Sequence, residues 1–234
     1  MGKMTRTPFS GTMERANDLL EIIHTDVCGP MSVEARDMYH YFLTFTDDLS
    51  RYVYIYLMKH KSETSGKFKE FHSEVENHRG KKIKFLRSDR RGKYLSYKFG
   101  LHLKQCGIVS QLMPPGTTQR NGVYERHNRT LLGMVRSMMS LTDLPLSFWC
   151  YALETTAFTL NRAPSKSVET TPYELWFGKK PKLSFKVWRC DTYVKRLRPD
   201  KLKPKAEKCV FIGYLKETIG YTFYHQFEGK NLCC

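Results

Sequence analysis

Three carboxylates in this chain have the residue types and the sequence contexts to work on a phosphodiester. Asp26 stands at the end of the apolar run Leu19-Leu20-Glu21-Ile22-Ile23. Asp89 follows the strand-like run Ile83-Lys84-Phe85-Leu86-Arg87-Ser88 and leads into the turn Arg90-Arg91-Gly92-Lys93. Glu125 lies in the first turn of a long helical pattern opened by Gln119-Arg120-Asn121-Gly122. Two strand-end aspartates and a helix-borne glutamate are the donor set that two-metal phosphoryl transfer needs. Hard oxygens on rigid elements can hold divalent ions roughly 3.5–4 Å apart, so that attacking and leaving oxygens stay in line. Such chemistry needs no covalent enzyme intermediate, so it needs no Ser/His/Asp or Cys/His set. Taken singly, each of the three would be an ordinary solvent-facing acid. A further pair, Asp47-Asp48, also follows a strand pattern, but adjacent strand-end residues point to opposite faces; a structural turn is expected there.

The elements that must carry these residues follow from periodicity. Runs at 19–25, 39–46 and 52–58 are separated by short polar turns, and the latter two are rich in aromatic and β-branched residues. They read as an antiparallel meander. Ser62 is a candidate N-cap for an amphipathic helix with Phe68, Phe71 and Val75 on its apolar face, ending near Gly80. The strand at 83–88 then follows a helix, so parallel pairing is expected. A short helix at 97–105 and a fifth strand at 108–112 complete a mixed α/β pattern. Met113-Pro114-Pro115-Gly116 breaks it, because neither proline can donate to a ladder or continue a helix. Asn121 can cap the next helix, on which His127, Leu131, Met134, Met138 and Leu141 form an apolar stripe. A second helix at 146–161 is apolar on several faces and is expected to pack on the first. Strand-like pieces recur at 185–188, 192–194, 208–214 and 220–224.

Three stretches make the chain recognisable. His24-Thr25-Asp26-Val27-Cys28-Gly29-Pro30, the run 87–94 (RSDRRGKY) and the run 119–131 (QRNGVYERHNRTL) resemble the three catalytic blocks of copia-type retrotransposon integrases, in the right order and separation. The resemblance covers nearly the whole chain. It implies a ribonuclease H-like fold, a mixed five-stranded sheet flanked by helices, with a small β-rich appendage that resembles a barrel. It makes Asp26, Asp89 and Glu125 the ligands of two Mg²⁺ or Mn²⁺ ions and the catalytic triad. DNA, both element ends and target, is the implied partner, with 3′-end processing and strand transfer as the reactions. A homo-oligomer and action in the nucleus are implied as well. Gln119 and Asn121 match the loop that helps family members place DNA. The segment 2–9 resembles the end of the zinc-binding module that precedes the core, whose His and Cys ligands would lie upstream. No zinc is therefore expected in this fragment. On this reading the chain divides into an extended lead-in (1–18), the catalytic core (19–162), a linker (163–184) and a basic β-rich segment (185–234).

Composition supports a nucleic-acid partner. In 234 residues, 39 Lys and Arg oppose 23 Asp and Glu, a net charge of +16, and such a balance points to a polyanion. Lys195, Arg196, Arg198, Lys201, Lys203, Lys205 and Lys208 form a dense basic run, opposed by Asp200 and Glu207, and are the best candidates for tracking phosphates. Arg126 and Arg129 flank Glu125 and could orient it or meet a phosphate. The seven cysteines are scattered singly except for the terminal pair, without zinc spacing, as expected of reduced intracellular thiols. No apolar run approaches the roughly 20 residues of a membrane span.

The chain also departs from the pattern it resembles. Arg91-Gly92-Lys93 stands where Gly-Gly-Glu is usual, Thr118 where a proline is usual, and Arg189 where a glycine is usual. These departures read as those of a degenerate copy. The alternative function is accordingly a relic that folds and binds DNA without catalysing. A hydrolytic nuclease of the same fold is a third reading.

Overall fold

A computed structural model describes residues 15–88, 97–112, 118–164, 168–182, 185–195, 204–215, 220–225 and 229–233, with the side chains of 112 and 118–125 left aside. Strands β1 (Ile22–Cys28), β2 (Tyr41–Asp47) and β3 (Val53–Met58) form the antiparallel meander. Helix α1 (Thr64–Arg79) then crosses to β4 (Phe85–Ser88), which pairs parallel with β1. Helix α2 (Tyr97–Gln105) leads to β5 (Val109–Leu112), parallel to β4. The resulting order is β3-β2-β1-β4-β5.

Period-two alternation divides the two faces of this sheet. Ile23, Leu43, Phe45 and Leu86 join Phe68, Phe71 and Val75 of α1 and Phe99 and Leu103 of α2 in one core. Phe42, Val53 and Ile55 point the other way, into a second core under α3 (Thr118–Ser140) and α4 (Trp149–Arg162). In the first core, Phe45 stacks on Phe71 with ring centroids 4.2 Å apart.

Several local expectations need correcting. Ser62 does not cap α1. It lies in a single 3-10 turn, and Glu63 reaches back to accept the N–H groups of His60 at 2.7 Å and Lys59 at 3.0 Å, because a carboxylate three residues past the cap satisfies two backbone donors at once. Helix α3 begins at Thr118, so Asn121 sits inside the helix rather than at its cap. The buried stripe of α3 is Asn128, Leu131, Val135 and Met139; it keeps the expected Leu131 but takes the residue after each of His127, Met134 and Met138, and Leu141 lies beyond the helix end, 81% exposed.

Part of the expected 163–184 linker is a helix. Thr171 caps α5 (Pro172–Phe177) by accepting the Glu174 N–H, and Trp176 is buried in the first core, stacked on Tyr52 at 5.4 Å.

The C-terminal segment is a four-stranded antiparallel sheet of order β6-β7-β8-β9: β6 (Asp191–Lys195), β7 (Ala206–Tyr214), β8 (Tyr221–His225) and β9 (Lys230–Cys233). The stretch 185–188 is not a strand. Trp188 instead spends its indole N–H on the Ile212 carbonyl at 2.8 Å and opens a turn. Strand β9, unforeseen because Lys-Asn-Leu-Cys lacks strand alternation, pairs with β8 from Thr222↔Cys233 to His225↔Lys230. Along β7, Val210 and Ile212 enter the core beneath α4, whereas Cys209 and Phe211 pack with Phe223 on the opposite face. Cys28, Cys106, Cys150, Cys190, Cys209 and Cys233 are all free thiols.

Candidate functional site

Asp26 is set by the strand that carries it. Odd-numbered Ile23 faces the α1 core, so Asp26 points to the opposite face, beneath α3. There the Asn128 amide donates to Asp26 Oδ2 at 2.8 Å. Thr44, directly opposite Asp26 on β2, directs its hydroxyl to both the Asp26 carbonyl and Asn128 Oδ1 at 3.4 Å. Asn128 is buried, so this amide fastens α3 to the middle of the sheet through a carboxylate.

Just past Asp26, the chain must make a close approach that only glycine allows. Gly29 holds φ +120°, and a Cβ there would lie 2.6 Å from the His40 carbonyl oxygen and 2.8 Å from the Tyr41 ring. The glycine three residues after the aspartate therefore lets β1 end against the start of β2.

Of the other two carboxylates, Asp89 lies outside the described residues. Its strand ends at Ser88, which pairs with Thr25, the neighbour of Asp26. Glu125 is on α3, three residues before Asn128. One helical turn thus separates its backbone position from the residue bonded to Asp26, and its side chain is outside the described residues. The Asp26 carboxylate suits a hard divalent cation. Asp26 is an oxygen ligand on a rigid strand, half-buried and oriented by a neutral amide donor.

A buried polar group supports this rim, and sequence reasoning missed most of it. Asp48 Oδ2 accepts the Ala16 N–H, while its Oδ1 meets His24 Nε2 at 3.1 Å and Arg51 at 3.3 Å. Asp47 accepts from the Leu20 and Ser50 N–H groups and the Ser50 hydroxyl. The pair therefore closes a turn, as expected. Burial outweighs the Asp48 contact and holds the His24 imidazole down at about 4. His127 on α3 is also held down at about 4, by burial and by the Arg51 charge. Both histidines are thus neutral at pH 7. Asn128 was legible only as the residue three after Glu125 in Glu125-Arg126-His127-Asn128.

The basic candidates divide by place. Arg126 and Arg129 are exposed on α3. Gln119 and Asn121 lie on the first turns of α3, and their side chains are outside the described residues. Lys195 ends β6 opposite Ala206, and exposed Lys205 immediately precedes β7, so the two ends of the basic run meet at the base of one hairpin. Arg196, Arg198, Lys201 and Lys203, between them, lie outside the described residues. Lys208 is engaged with Asp191 at 2.7 Å. Among the described residues, no helix is long and apolar enough to cross a membrane.

Comparison with known proteins agrees with this architecture. Residues 189–232 match the family described as the retroviral polymerase SH3-like domain. The chain is 39% identical over 233 residues to the retrovirus-related Pol polyprotein from transposon TNT 1-94 of Nicotiana tabacum, covering 98% of this chain and 18% of that protein. It is 31% identical over 235 residues to the corresponding polyprotein from transposon RE2 of Arabidopsis thaliana, covering 98% of this chain and 16% of that one. The chain thus spans less than a fifth of the length of these relatives. A chain of the simian T-cell lymphotropic virus intasome in complex with PP2A regulatory subunit B56 gamma shares the fold, with a TM-score of 0.60 at 15% identity over 99% of this chain and 81% of that one. By sequence this chain is a homologue of a segment of plant retrovirus-related Pol polyproteins from copia-type transposons, and it shares its fold with a chain of a retroviral intasome.

Proposed function

We propose that the chain is the catalytic and DNA-holding part of an integrase, a polynucleotidyl transferase that trims the 3′ ends of element DNA and joins them to target DNA. Asp26, Asp89 and Glu125 would hold two Mg²⁺ or Mn²⁺ ions. When bound, such ions would activate a water or the 3′ hydroxyl of a DNA end as nucleophile and stabilise charge on the leaving oxygen. The observation that carries the reading is the bond from Asn128 to Asp26 Oδ2, because it brings the helix bearing Glu125 onto the strand bearing Asp26.

The chain's own residues have distinct tasks. Asn128 fixes the carboxylate rotamer before any cation arrives, which spares the site that ordering cost on binding. Arg126 and Arg129 offer charge to phosphates beside the rim, and the hairpin based on Lys195 and Lys205 offers a second basic surface. Gln119 and Asn121, at the start of the same helix, would help place the DNA end. DNA is the partner, the working form is a homo-oligomer, and the site of action is the nucleus.

An oligonucleotide joining assay tests this, with a pre-cut donor end, a target duplex and Mn²⁺, beside an Asp26→Asn control. Joined product that disappears in the control is the expected result. Salt-sensitive DNA binding without joined product would replace this reading with that of a non-catalytic relic, and cleavage of RNA–DNA hybrids without joining would replace it with a hydrolase.

A further inference from the structure

On the sheet face opposite Asp26, α1 and α2 bring together three side chains that ligate metals. One ligand atom from each of His72, His102 and Cys106 lies within 4.8 Å of the other two. Cys106 Sγ is 3.7 Å from His102 Nε2. With Zn–N near 2.0–2.1 Å and Zn–S near 2.3 Å, two ligands of one tetrahedral ion stand about 3.6 Å apart. A thiol–imidazole hydrogen bond would explain that pair alone, but it would leave His72 unaccounted for. His72 Nε2 is buried without a hydrogen-bond partner; Glu76 Oε1 lies 3.2 Å away but outside hydrogen-bond geometry. A buried polar atom left in this state is costly, and a cation would satisfy it.

The backbone holds the three in place. His102 and Cys106 are one turn apart at the end of α2, and that end is locked. Gly107 at φ 72° gives its N–H to Lys104, and Ile108 gives its N–H to Leu103 at 2.8 Å. This is the paired bonding of a Schellman motif, with Leu103 and Ile108 buried together. Phe68 floors the cluster, stacked on His72 at 5.8 Å and edge-on to His102 at 6.3 Å. Glu76 Oε1 is itself anchored by the Ile83 N–H at 2.9 Å. Partial burial, with Lys69 and His72 nearby, depresses the His102 pKa, which keeps its nitrogens available to a metal.

We propose that His72, His102 and Cys106 form a site for a borderline-soft divalent cation such as Zn²⁺, with water in the fourth position. Two imidazoles and a thiolate select Zn²⁺ over Mg²⁺, so this site and the oxygen-lined rim take different ions. Binding converts the Cys106 thiol to a thiolate and releases its proton to solvent. The ion clips together the two helices that flank β4 in sequence, an effect independent of whether the chain catalyses. No local motif announces the site, because its ligands are one histidine on α1 and an i, i+4 pair, His102 with Cys106, that begins 30 residues later.

The test is a Co²⁺ titration of the purified full chain in excess Mg²⁺, followed by absorbance. Thiolate-to-cobalt charge transfer and intense tetrahedral d–d bands, displaced by Zn²⁺, are expected of the wild type and of Asp26→Asn and Cys233→Ser. Cys106→Ser should abolish the charge-transfer band. His102→Ala should weaken binding by more than the roughly 10–100-fold that loss of an outer-shell partner costs. Circular dichroism establishes that each variant is folded. Absence of the band in the wild type, or its survival in folded Cys106→Ser, would overturn the proposal.

Discussion

Arg189 stands where the family resemblance expects a glycine, and its backbone holds φ 64°. For an L-residue that left-handed conformation brings Cβ against the following carbonyl, at about 1–2 kcal/mol. Its Nη2 donates to Asp143 Oδ2 at 2.7 Å, but the Asp143 side chain is 90% exposed, so solvent screens the pair. Comparing Arg189→Gly with Arg189→Ala removes that pair from both and leaves Cβ as the difference. Relief of strain favours glycine by about 1–2 kcal/mol, and its greater freedom in the unfolded chain disfavours it by about 0.4–1. Taking the middle of each range, glycine should be the more stable by about 0.8 kcal/mol, a difference of about 2–3 °C in Tm for a chain of this size. Urea and thermal melts of the two variants at one pH measure it. The sign is diagnostic, since glycine is the less stable of the two at ordinary positions. An alanine variant as stable as the glycine one, or more so, would refute the strain argument.

Further outcomes follow from the core and the rim. Asn128→Ala removes a charge-assisted bond and should cost about 1.5–3 kcal/mol, with joining activity falling as well; a double-mutant cycle with Asp26→Ala, which removes the acceptor, should recover most of that stability term as coupling. His24 is held at about 4 against an ordinary 6.5, so the unfolded chain takes its proton first as pH falls. Stability should therefore decline between about pH 6.5 and 4, on the order of 3 kcal/mol from this group, and denaturant melts of His24→Gln should show a flatter profile. Trp176→Ala should cost about 3–5 kcal/mol by leaving a cavity in the first core; a cost under about 1 kcal/mol in urea melts would mean that α5 is not part of that core.

How far the residues themselves announced this architecture depended on how local the information was. Meander, crossover helices and parallel strands were legible because alternation and 3.6-residue periodicity are written in adjacent residues. The phase of α3 was not: Met134 and Val135, like Met138 and Met139, are neighbours on the helix, and which of them faces the sheet is settled by tertiary contacts, among them the bond from Asn128 to Asp26. Helix α5 hid because six residues are too few for a helical period to show, although Pro172 and Trp176 are buried and Phe177 packs against the first core. Strand β9 hid because a strand paired on one side needs little side-chain pattern when β8 supplies the backbone partners. At the rim, Asp26 stood out by its context, whereas His24, His127 and Asp48 became neighbours only through tertiary packing.

The burial of Val210 and Ile212 beneath α4 also bears on how the molecule comes apart. The Thr155 hydroxyl donates to the Ile212 carbonyl, Phe158 stacks face to face on Tyr214 at 3.7 Å, and Arg36 reaches the Gly229 carbonyl while covering the rings of Phe148 and Tyr224. Detaching the C-terminal sheet would strip water-excluding side chains from α4 and expose apolar surface on both parts at once. The two sheets therefore share their cooperativity: heated, they should melt in one calorimetric transition, and a cut between them should yield aggregating halves rather than two soluble modules.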